Sequence, residues 1–449
     1  MTKKIFFSGI GGCSMSGLAQ ICKQQGHHVC GSDRAASPFT QALEKAEIPF
    51  TLTQTAANIH DIDLFVYSAA IKPDHPERAE AARQGIPMME RSELLGKISA
   101  DYKDVLCVSG CHGKTTITSM LAAILIRAHL DPTVHIGGVV DFLGGGIHIG
   151  TSDLFVTEAC EYVESYLTLN PTCIVLNNID DDHLDYFRDM DHIVDSFDHF
   201  IHLLPKDGVL IGNSDDPRVE KLLKKNKSYT LIRYGLESGD YIAQNIRANH
   251  QNGATFDVVH EGKSLFTVDL CVPGTHNVIN ALAAIVAALH YGADQQAIIE
   301  ALAEYTLTRR RFEYYGDVNG AKIYHDYAHH PSEIRACLQG ARSLCTGNVY
   351  VVFQCNSYTR AKTLFCENVD CFSDADEVLV PDIYPGREVD DGSVHATDMV
   401  KAILEGGVQA RFIPTFEEIR VYLHEHLQPG DFVVTLGSGD VYMQTRKLL

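Results

Sequence analysis

A single segment decides the fold of this chain: VLCVSGCHGKTT, residues Val105–Thr116. Its apolar beginning predicts a buried strand, which turns at two glycines and continues into an apolar helix. Gly110 and Gly113 allow the backbone N–H groups to face an anion without a Cβ atom in the way, and the helix N-terminus adds positive charge. We therefore predict a nucleotide phosphate loop, in which Lys114 reaches the β- and γ-phosphates and Thr115 ligates Mg²⁺. Valine replaces the first glycine of the full GxxxxGK[ST] pattern, which leaves GxxGKTT.

The composition limits the classes of function. The 449 residues, 45% of them hydrophobic, are enough for about three domains of ordinary size. A formal net charge of −21 argues against a nucleic-acid or anionic-membrane surface, so we expect the phosphate site to be local and built from backbone. The short N-terminal apolar run and the lack of long apolar stretches predict a cytoplasmic protein. The 13 cysteines include no CxxC pair, which indicates reduced thiols rather than disulfides or a cysteine zinc site.

Strands and helices alternate along the chain and predict three α/β units in series, each with a parallel sheet covered by helices. We place them at residues 1–97, 98–307 and 308–449. In the second unit, a polar, more β-like stretch over 229–270 precedes an alanine-rich helix over 278–289. The predicted strands span 5–8, 28–31, 64–68 and 87–89 in the first unit, 154–158, 173–179 and 208–212 in the second, and 323–325, 349–353, 377–381, 410–414 and 432–436 in the third.

Two side chains follow predicted strands of the second unit. Glu158 ends one strand, and His183 follows another after three aspartates. Ligands gather beyond the carboxyl ends of parallel strands, so both should open onto the crevice that holds the phosphate loop. With the Thr115 hydroxyl they would suit Mg²⁺ held mainly by substrate phosphates. Two alternatives remain, in which Glu158 is a solvated loop acid and His183 caps the next helix.

A second glycine-rich turn, GIGGCSMSG at Gly9–Gly17, resembles GxGxxG with Ser14 in the last position. Asp33 lies two dozen residues beyond the start of this turn, after the strand over 28–31. The pattern predicts a dinucleotide-type fold with Asp33 near a ribose or sugar hydroxyl. A helix N-terminus binds any phosphate, so UDP satisfies this turn as well as NAD does.

Further polar groups lie near the second domain boundary. Asn277 and Asn280 share a helix face and could hydrogen-bond an adenine edge, although Asn277 could instead cap the helix. The run of three arginines that ends at Arg311 is either a solvated hinge or a source of phosphate contacts when the domains close. Asp326 and His329 follow a strand of the third unit and could face substrate.

Several segments occur together in a fixed order. They are Gly9–Gly12 with Met15–Gly17, Gly31–Asp33, His112–Thr116, Glu158–Glu161, Asn178–Ile179 with Asp182–His183, His276–Asn277 with Asn280–Ala281, Arg310–Glu313, Asp326–Pro331, and Asp382–Tyr384 with Arg387–Glu388. This set resembles the Mur ligase family, the ATP-dependent amide-forming ligases of bacterial peptidoglycan synthesis, over essentially the whole chain. The resemblance implies an N-terminal Rossmann-like domain for a UDP sugar, a central P-loop ATPase-like domain for ATP and Mg²⁺, and a C-terminal Rossmann-like domain for an amino acid.

The resemblance also implies a role for individual residues. The ATP site would contain Gly110, His112, Gly113, Lys114, Thr115, Thr116, Asn277, Asn280, Arg311 and Asp326. The metal ligands would be Thr115, Glu158 and His183. The UDP-sugar site would contain Gly11, Gly12, Met15, Ser16, Asp33 and Ser68. The catalytic and amino-acid side would contain Lys114, His183, Tyr327, His329 and Arg360.

The implied reaction begins with attack of a substrate carboxylate on the γ-phosphate of ATP, which forms an acyl phosphate and ADP. An amine then displaces phosphate, and positioning with charge neutralisation suffices for such chemistry. The branch that the chain resembles adds the first amino acid, L-alanine, to the lactyl carboxylate of UDP-N-acetylmuramate. Glycine, serine or a recycled tripeptide are alternative amines.

The chain departs from the family pattern at two positions in the segments expected to bind the amine substrate. These departures leave other classes of protein open. Asn356 replaces a usual histidine, and Cys160 replaces a common aspartate. A non-catalytic nucleotide-binding scaffold would tolerate both changes. A nicotinamide-dependent oxidoreductase would explain the first glycine turn but not the GKTT loop.

Overall fold

The computed structural model describes residues 2–184, 186–225, 229–251, 253–364, 369–386 and 388–449, without the side chain of Leu364. Arg387, in one of the family segments above, lies outside the described residues. The twelve described cysteines are all free thiols, as predicted. Among the described helices, none is long and apolar enough to span a bilayer.

The N-terminal unit is a five-stranded parallel sheet with the order β3-β2-β1-β4-β5. Its strands are β1 Lys4–Ser8, β2 His28–Ser32, β3 Phe50–Thr51, β4 Leu64–Tyr67 and β5 Met88–Glu90, and its helices are α1 Cys13–Gln24, α2 Pro38–Lys45, α3 Pro76–Arg83 and α4 Arg91–Ser99. The strand order reverses beside β1, which places a ligand crevice at the carboxyl end of that strand. The glycine turn that follows β1 therefore opens at this crevice.

The central unit is a ten-stranded sheet with the order β15-β14-β13-β12-β11-β10-β6-β9-β7-β8. Its strands are β6 Asp104–Ser109, β7 Thr133–Val140, β8 Gly145–His148, β9 Leu154–Ala159, β10 Cys173–Leu176, β11 Val209–Asn213, β12 Thr230–Gly235, β13 Tyr241–Ala248, β14 Ala254–His260 and β15 Lys263–Leu270. Its helices are α5 Lys114–Arg127, α6 Met190–Ile201, α7 Pro217–Lys225, α8 Thr275–His290 and α9 Gln295–Ala303. The predicted β-rich stretch is confirmed as β12 to β15, which end in two antiparallel pairings.

The C-terminal unit is a six-stranded sheet with the order β16-β17-β21-β18-β19-β20, parallel except for the β16–β17 hairpin. Its strands are β16 Glu313–Val318, β17 Ala321–Asp326, β18 Val349–Phe353, β19 Glu377–Val380, β20 Gln409–Phe412 and β21 Phe432–Leu436. Its helices are α10 Pro331–Leu344, α11 Tyr358–Leu364, α12 Ala396–Glu405, α13 Phe416–His426 and α14 Val441–Leu448. The strands predicted at 349–353 and 432–436 have the predicted bounds.

Two differences from the predicted strands have clear causes. The strand predicted over 173–179 ends at Leu176, because Asn177 and Asn178 turn their amide side chains toward the phosphate loop. The edge strands β3, β8 and β16 and the neighbouring strand β7 were not predicted, since β3 has two residues and the other three belong to antiparallel hairpins outside the strand–helix alternation. Local alternation of apolar residues is weak in such edges.

Helix α4 joins the first two units rather than separating them. The predicted boundary at 97/98 lies within this helix. Thr168 of the central unit donates a hydrogen bond to the Ser92 carbonyl, and a Cβ on Gly96 would lie only 2.1 Å from the Thr168 carbonyl oxygen. One hydrophobic cluster includes Leu94 and Leu95 of α4 together with core residues of both sheets. The N-terminal and central units therefore share a core, whereas the C-terminal sheet has its own clusters.

Candidate active site

The turn between β6 and α5 has the conformation that its glycines predict. Gly110 has a φ of +134° and Gly113 a φ of +86°, in the region that favours glycine. A Cβ atom on Gly113 would also lie 2.5 Å from Asn280 Oδ1 and 2.8 Å from Asn177 Nδ2. The loop therefore requires glycine at this position both for its backbone angle and for the close packing of α8.

Lys114 is held by a buried acid. Its ammonium donates to both carboxylate oxygens of Glu161, at 2.9 and 2.7 Å, and to the carbonyl oxygens of Gly110 and Cys111. Burial alone would lower the pKa of Lys114, but the attraction of Glu161 outweighs it and raises the pKa. Lys114 is therefore a permanent cation, which can exchange one anion, the Glu161 carboxylate, for another.

A hydrogen bond joins Thr115, in the first turn of α5, to Glu158 of β9. The Thr115 hydroxyl donates to Glu158 Oε2 at 3.0 Å, and the Gly137 N–H donates to Oε1 at 2.6 Å. Burial raises the pKa of Glu158. Glu158 is thus an oriented, desolvated carboxylate, and the alternative of a solvated loop acid does not fit this geometry.

His183 lies in a neighbouring cluster with two acids. Its Nε2 lies 3.7 Å from Glu161 Oε1 and 3.7 Å from Asp182 Oδ2, with a backbone φ of +56°. Asp189, and not His183, caps the next helix, α6, by accepting from the His192 N–H. The capping alternative for His183 is therefore excluded, and Glu161 connects His183 to the ammonium of Lys114.

A cleft between α8, the phosphate loop and the C-terminal unit gathers seven of the residues predicted for ATP. They are His112, Gly113, Thr116, Asn277, Asn280, Arg311 and Asp326. The side chain of Asn277 does not cap α8, whose N-cap is Gly274, but donates to the Pro273 carbonyl at 2.6 Å. Asn280 accepts from Asn177 Nδ2 at 3.2 Å and so links α8 to the loop.

The three arginines of the boundary have different surroundings. Arg309 pairs with Asp141 on the surface, and Arg310 donates to the carbonyl oxygens of Ser438 and Gly439. Arg311 lines the cleft, where its Nη1 lies 3.6 Å from Glu333 Oε1. Of the three, Arg311 alone is in a position to meet a nucleotide in the cleft.

Asp326 anchors the same boundary. Its carboxylate accepts hydrogen bonds from the backbone N–H groups of Phe312 and Ala328, each at 2.7 Å. Burial raises the pKa of Asp326 to about 6, against the opposing effect of Arg311. Asp326 therefore holds the Arg311 segment in place by backbone contacts.

A second pocket lies where the central and C-terminal units meet. It is lined by Tyr162, Asp182, His183, Asn356, Arg360 and Glu388, among others. Arg360 Nη2 lies 3.6 Å from Asp182 Oδ1, while Nη1 is buried with no hydrogen-bond partner among the described residues. Asn356 donates from Nδ2 to Ser438 Oγ at 2.7 Å.

Tyr327 and His329, predicted for the amino-acid side, do not line this pocket. His329 Nδ1 lies 3.2 Å from Glu333 Oε2, and the Tyr327 ring packs under the guanidinium of Arg310, 4.6 Å away. The structure therefore places both beside Arg310 and Glu333, near the cleft that Arg311 lines, rather than beside Arg360. The loop after β17 turns back toward the boundary segment, since the Tyr327 N–H donates to the Arg310 carbonyl.

The turn after β1 brings together only some of the residues predicted for a UDP sugar. The Gly11 N–H donates to Asp33 Oδ2 at 2.8 Å, and Ser68 Oγ lies 3.4 Å from where a Cβ on Gly9 would stand. Gly12 is exposed as the N-cap of α1. Met15 and Ser16 are instead buried: Met15 packs into the core, and Ser16 donates from its N–H to the Gly12 carbonyl and from Oγ to the Cys13 carbonyl.

Three family models match consecutive parts of the chain. The model described as the Mur ligase family catalytic domain matches residues 4–103, the Mur ligase middle domain matches 108–288, and the Mur ligase glutamate ligase domain matches 310–439. The chain belongs to the Mur ligase family.

Individual Mur ligases resemble it over nearly their full length. A UDP-N-acetylmuramate–L-alanine ligase from Acetivibrio thermocellus is 44% identical over 442 residues, covering 98% of this chain and 94% of the relative. One from Clostridium botulinum is 43% identical over 447 residues, covering 100% and 97%. The crystal structure of the UDP-N-acetylmuramate–alanine ligase from Thermotoga maritima matches with a TM-score of 0.82 at 26% identity, covering 99% and 98%. These similarities confirm the predicted family and its three-unit α/β architecture.

In this Mur ligase, three residues near the predicted sites had no role predicted from the sequence. Glu161 lies three residues beyond Glu158, past the end of the same strand. This position near the strand end was the one local feature that could have predicted a role for Glu161 in the site. Arg91 begins α4 and donates to Ser14 Oγ at 3.3 Å, at the mouth of the first glycine turn. Glu333 lies in the first turn of α10, and no local pattern marks it as a partner of Arg311.

Proposed function

We propose that this Mur ligase joins L-alanine to the lactyl carboxylate of UDP-N-acetylmuramate, with conversion of ATP to ADP and phosphate, in peptidoglycan precursor synthesis. The relatives that match the whole chain at 43–44% identity carry that activity in their names. Use of ATP and a UDP sugar also favours the predicted cytoplasmic location. In this proposal residues 1–97 bind the UDP sugar, 98–307 bind ATP, and 308–449 bind the amino acid.

One observation supports the amide-forming chemistry above the others. Asp182 and His183, which follow β10 of the ATP-binding unit, line the same pocket as Arg360 of the C-terminal unit. The buried Nη1 of Arg360, which has no hydrogen-bond partner among the described residues, would donate to the carboxylate of an amino acid. A guanidinium binds a carboxylate by donating two parallel N–H hydrogen bonds. An amine held there would lie beside the residues that hold the phosphoryl group.

The oxygen donors beside the phosphate loop fit Mg²⁺. The Thr115 hydroxyl and the half-buried Glu158 carboxylate are 3.0 Å apart and are the hard ligands that Mg²⁺ prefers. His183, whose Nε2 lies 3.7 Å from Glu161 Oε1, would be a less usual ligand for this ion. Bound Mg²⁺ would neutralise charge on the phosphates of ATP.

The side chains themselves would position the reactants. Lys114 would exchange Glu161 for the β- and γ-phosphates, and Arg311 would approach the same phosphates from the C-terminal unit. The lactyl carboxylate would attack the γ-phosphorus and form an acyl phosphate with ADP as the leaving group. The free amine would then attack the acyl carbon, lose a proton and expel phosphate. Such transfer needs alignment and charge stabilisation, so no protein nucleophile is required.

The decisive experiment measures phosphate release from ATP and Mg²⁺ in the presence of UDP-N-acetylmuramate. L-Alanine, glycine, L-serine, the recycling tripeptide and no amine are compared. Turnover that requires both the sugar and L-alanine supports the proposal. If another amine is preferred, that amine is the substrate instead of L-alanine. A chain that binds ATP but turns over with none of them would be a nucleotide-binding scaffold.

A further inference from the structure

A cluster of two histidines and one aspartate lies where the phosphate loop meets α10. His112 belongs to the loop, Asp180 follows β10, and His330 is the N-cap of α10. One ring nitrogen of each histidine and one carboxylate oxygen of Asp180 all lie within 4.8 Å of one another. The cluster therefore joins the central unit to the C-terminal unit, and it contains none of the residues proposed for Mg²⁺.

The spacing in this cluster is close to that of a tetrahedral metal site. Asp180 Oδ2 lies 3.1 Å from His112 Nε2 and 3.7 Å from His330 Nδ1. Zinc bonds of about 2.0–2.1 Å place neighbouring ligand atoms of a tetrahedron about 3.3 Å apart. Small shifts of the side chains would bring all three atoms to bonding distance, with water in the fourth position.

Each histidine has a carboxylate behind it. His112 Nδ1 lies 3.5 Å from Glu333 Oε1, and His330 Nε2 lies 3.6 Å from Asp181 Oδ1. His330 is 2% exposed, and its Nε2 makes no hydrogen bond within the described part of the chain. Metal-binding histidines commonly donate their second N–H to such a carboxylate, which fixes the ring and strengthens the ligand.

The surroundings already stabilise positive charge at this point. The carboxylates of Asp180 and Glu333 lie 3.1 and 3.5 Å from the two ring nitrogens of His112. Ser332 supplies two donors to the ligand atoms, from its N–H to His330 Nδ1 at 3.3 Å and from Oγ to Asp180 Oδ2 at 2.6 Å. A metal ion bound at these atoms would take the place of the two Ser332 donors.

We propose that His112 Nε2, Asp180 and His330 Nδ1 form a binding site for Zn²⁺ or a similar transition-metal ion. Imidazole suits such ions, whereas Mg²⁺ prefers oxygen ligands. The ion would tie the phosphate loop to α10. His112 also lines the ATP cleft together with Ser332 and Glu333, so, if the proposed ATP site is correct, the ion would oppose nucleotide binding.

The test is a titration of the full chain with Co²⁺, without Mg²⁺, followed by visible absorption. Co²⁺ bound by nitrogen and oxygen gives d–d bands without the thiolate charge-transfer absorption that cysteine ligands add. We expect such a site in the parent chain, displaced by Zn²⁺, with affinity reduced at least about tenfold in both His330→Gln and Asp180→Asn. Circular dichroism and UDP binding verify that each variant is folded.

Glu158→Gln is the matched control, because it alters the site proposed for Mg²⁺ and leaves this cluster intact. Co²⁺ binding that survives in Glu158→Gln and is lost in His330→Gln supports the proposal. Equal binding in the parent chain and His330→Gln, loss only in Glu158→Gln, or a spectrum dominated by thiolates would overturn it. A separate titration with ADP tests the coupling: ADP should weaken Co²⁺ binding, and unchanged binding would remove the antagonism but not the metal site.

Discussion

The Nζ atom of Lys114 lies 2.7 Å from Glu161 Oε2, in an ion pair whose carboxylate is 1% exposed. The cation that the GKTT motif predicts for phosphate is thus paired with a buried acid of the protein. Removal of one partner from a buried pair leaves the other charge without compensation. The same contact therefore bears on both catalysis and stability.

Lys114→Ala should abolish ATP turnover and leave UDP-sugar binding largely intact, because the two sites belong to different sheets. The uncompensated Glu161 should also lower the free energy of unfolding by about 3 kcal/mol. Phosphate release, calorimetric UDP-sugar binding and urea denaturation measure the three quantities. Lys103→Ala, at an exposed lysine before β6, is the control. Equal loss of both activities in a folded variant would contradict the domain assignment.

Lys114→Ala combined with Glu161→Gln should recover most of the lost stability but none of the turnover. The neutral amide removes the unpaired charge, while the phosphates still lack their cation. Denaturation curves of the two single variants and the double variant complete the cycle. If the effects of the two single substitutions on the free energy of unfolding simply add, Lys114 and Glu161 do not stabilise the fold as a pair.

Glu158→Gln should raise the Mg²⁺ concentration needed for half-maximal turnover by at least about tenfold, because a neutral amide is a weaker ligand for a hard cation. The rate is measured against free Mg²⁺ at saturating ATP. Glu261→Gln, at the exposed β14–β15 turn, should leave the curve unchanged. An unshifted curve for Glu158→Gln would remove this carboxylate from the metal site.

Arg360→Lys should raise the KM for the amino acid about tenfold or more, with little change in the KM for ATP. The lysine keeps the charge but loses the planar pair of donors that fits a carboxylate. Arg420→Lys on α13 is the surface control. Asn356→His, which alters the contact with Ser438 in the same pocket, should also change the amino-acid KM more than the ATP KM. Parallel changes in both KM values would place these residues outside the amine pocket.

Asp326 should make the stability of the folded chain depend on pH. Its folded pKa of about 6 lies above its ordinary value of 3.8, so the folded state binds more protons between those values. Stability from this group is therefore fully present below about pH 4 and is lost as the pH rises to about 6, by roughly 3 kcal/mol in total. Asp326→Asn should flatten the curve of unfolding free energy over that range. An unchanged slope would exclude Asp326 as its origin.

Local sequence signals predicted the scaffold of the site well. Gly110 and Gly113 have positive φ angles, which glycine tolerates. Glu158 lies at the strand end where the alternation of apolar residues predicts it. The side-chain directions of Met15 and Ser16 could not be predicted in this way. Both follow a glycine turn, yet the first turn of α1 points them into the core.

The sequence by itself determined the family through its ordered motifs. It also determined the three α/β units and the phosphate loop, because glycine geometry and hydrophobic alternation act over a few neighbouring residues. Only the tertiary structure decided which acids face the cations. Lys114 meets Glu161 across 47 residues of sequence, and Ser332 meets Asp180 across 152. Such contacts depend on strand order and on the docking of the C-terminal unit, which pack distant segments together and leave no local pattern in the chain.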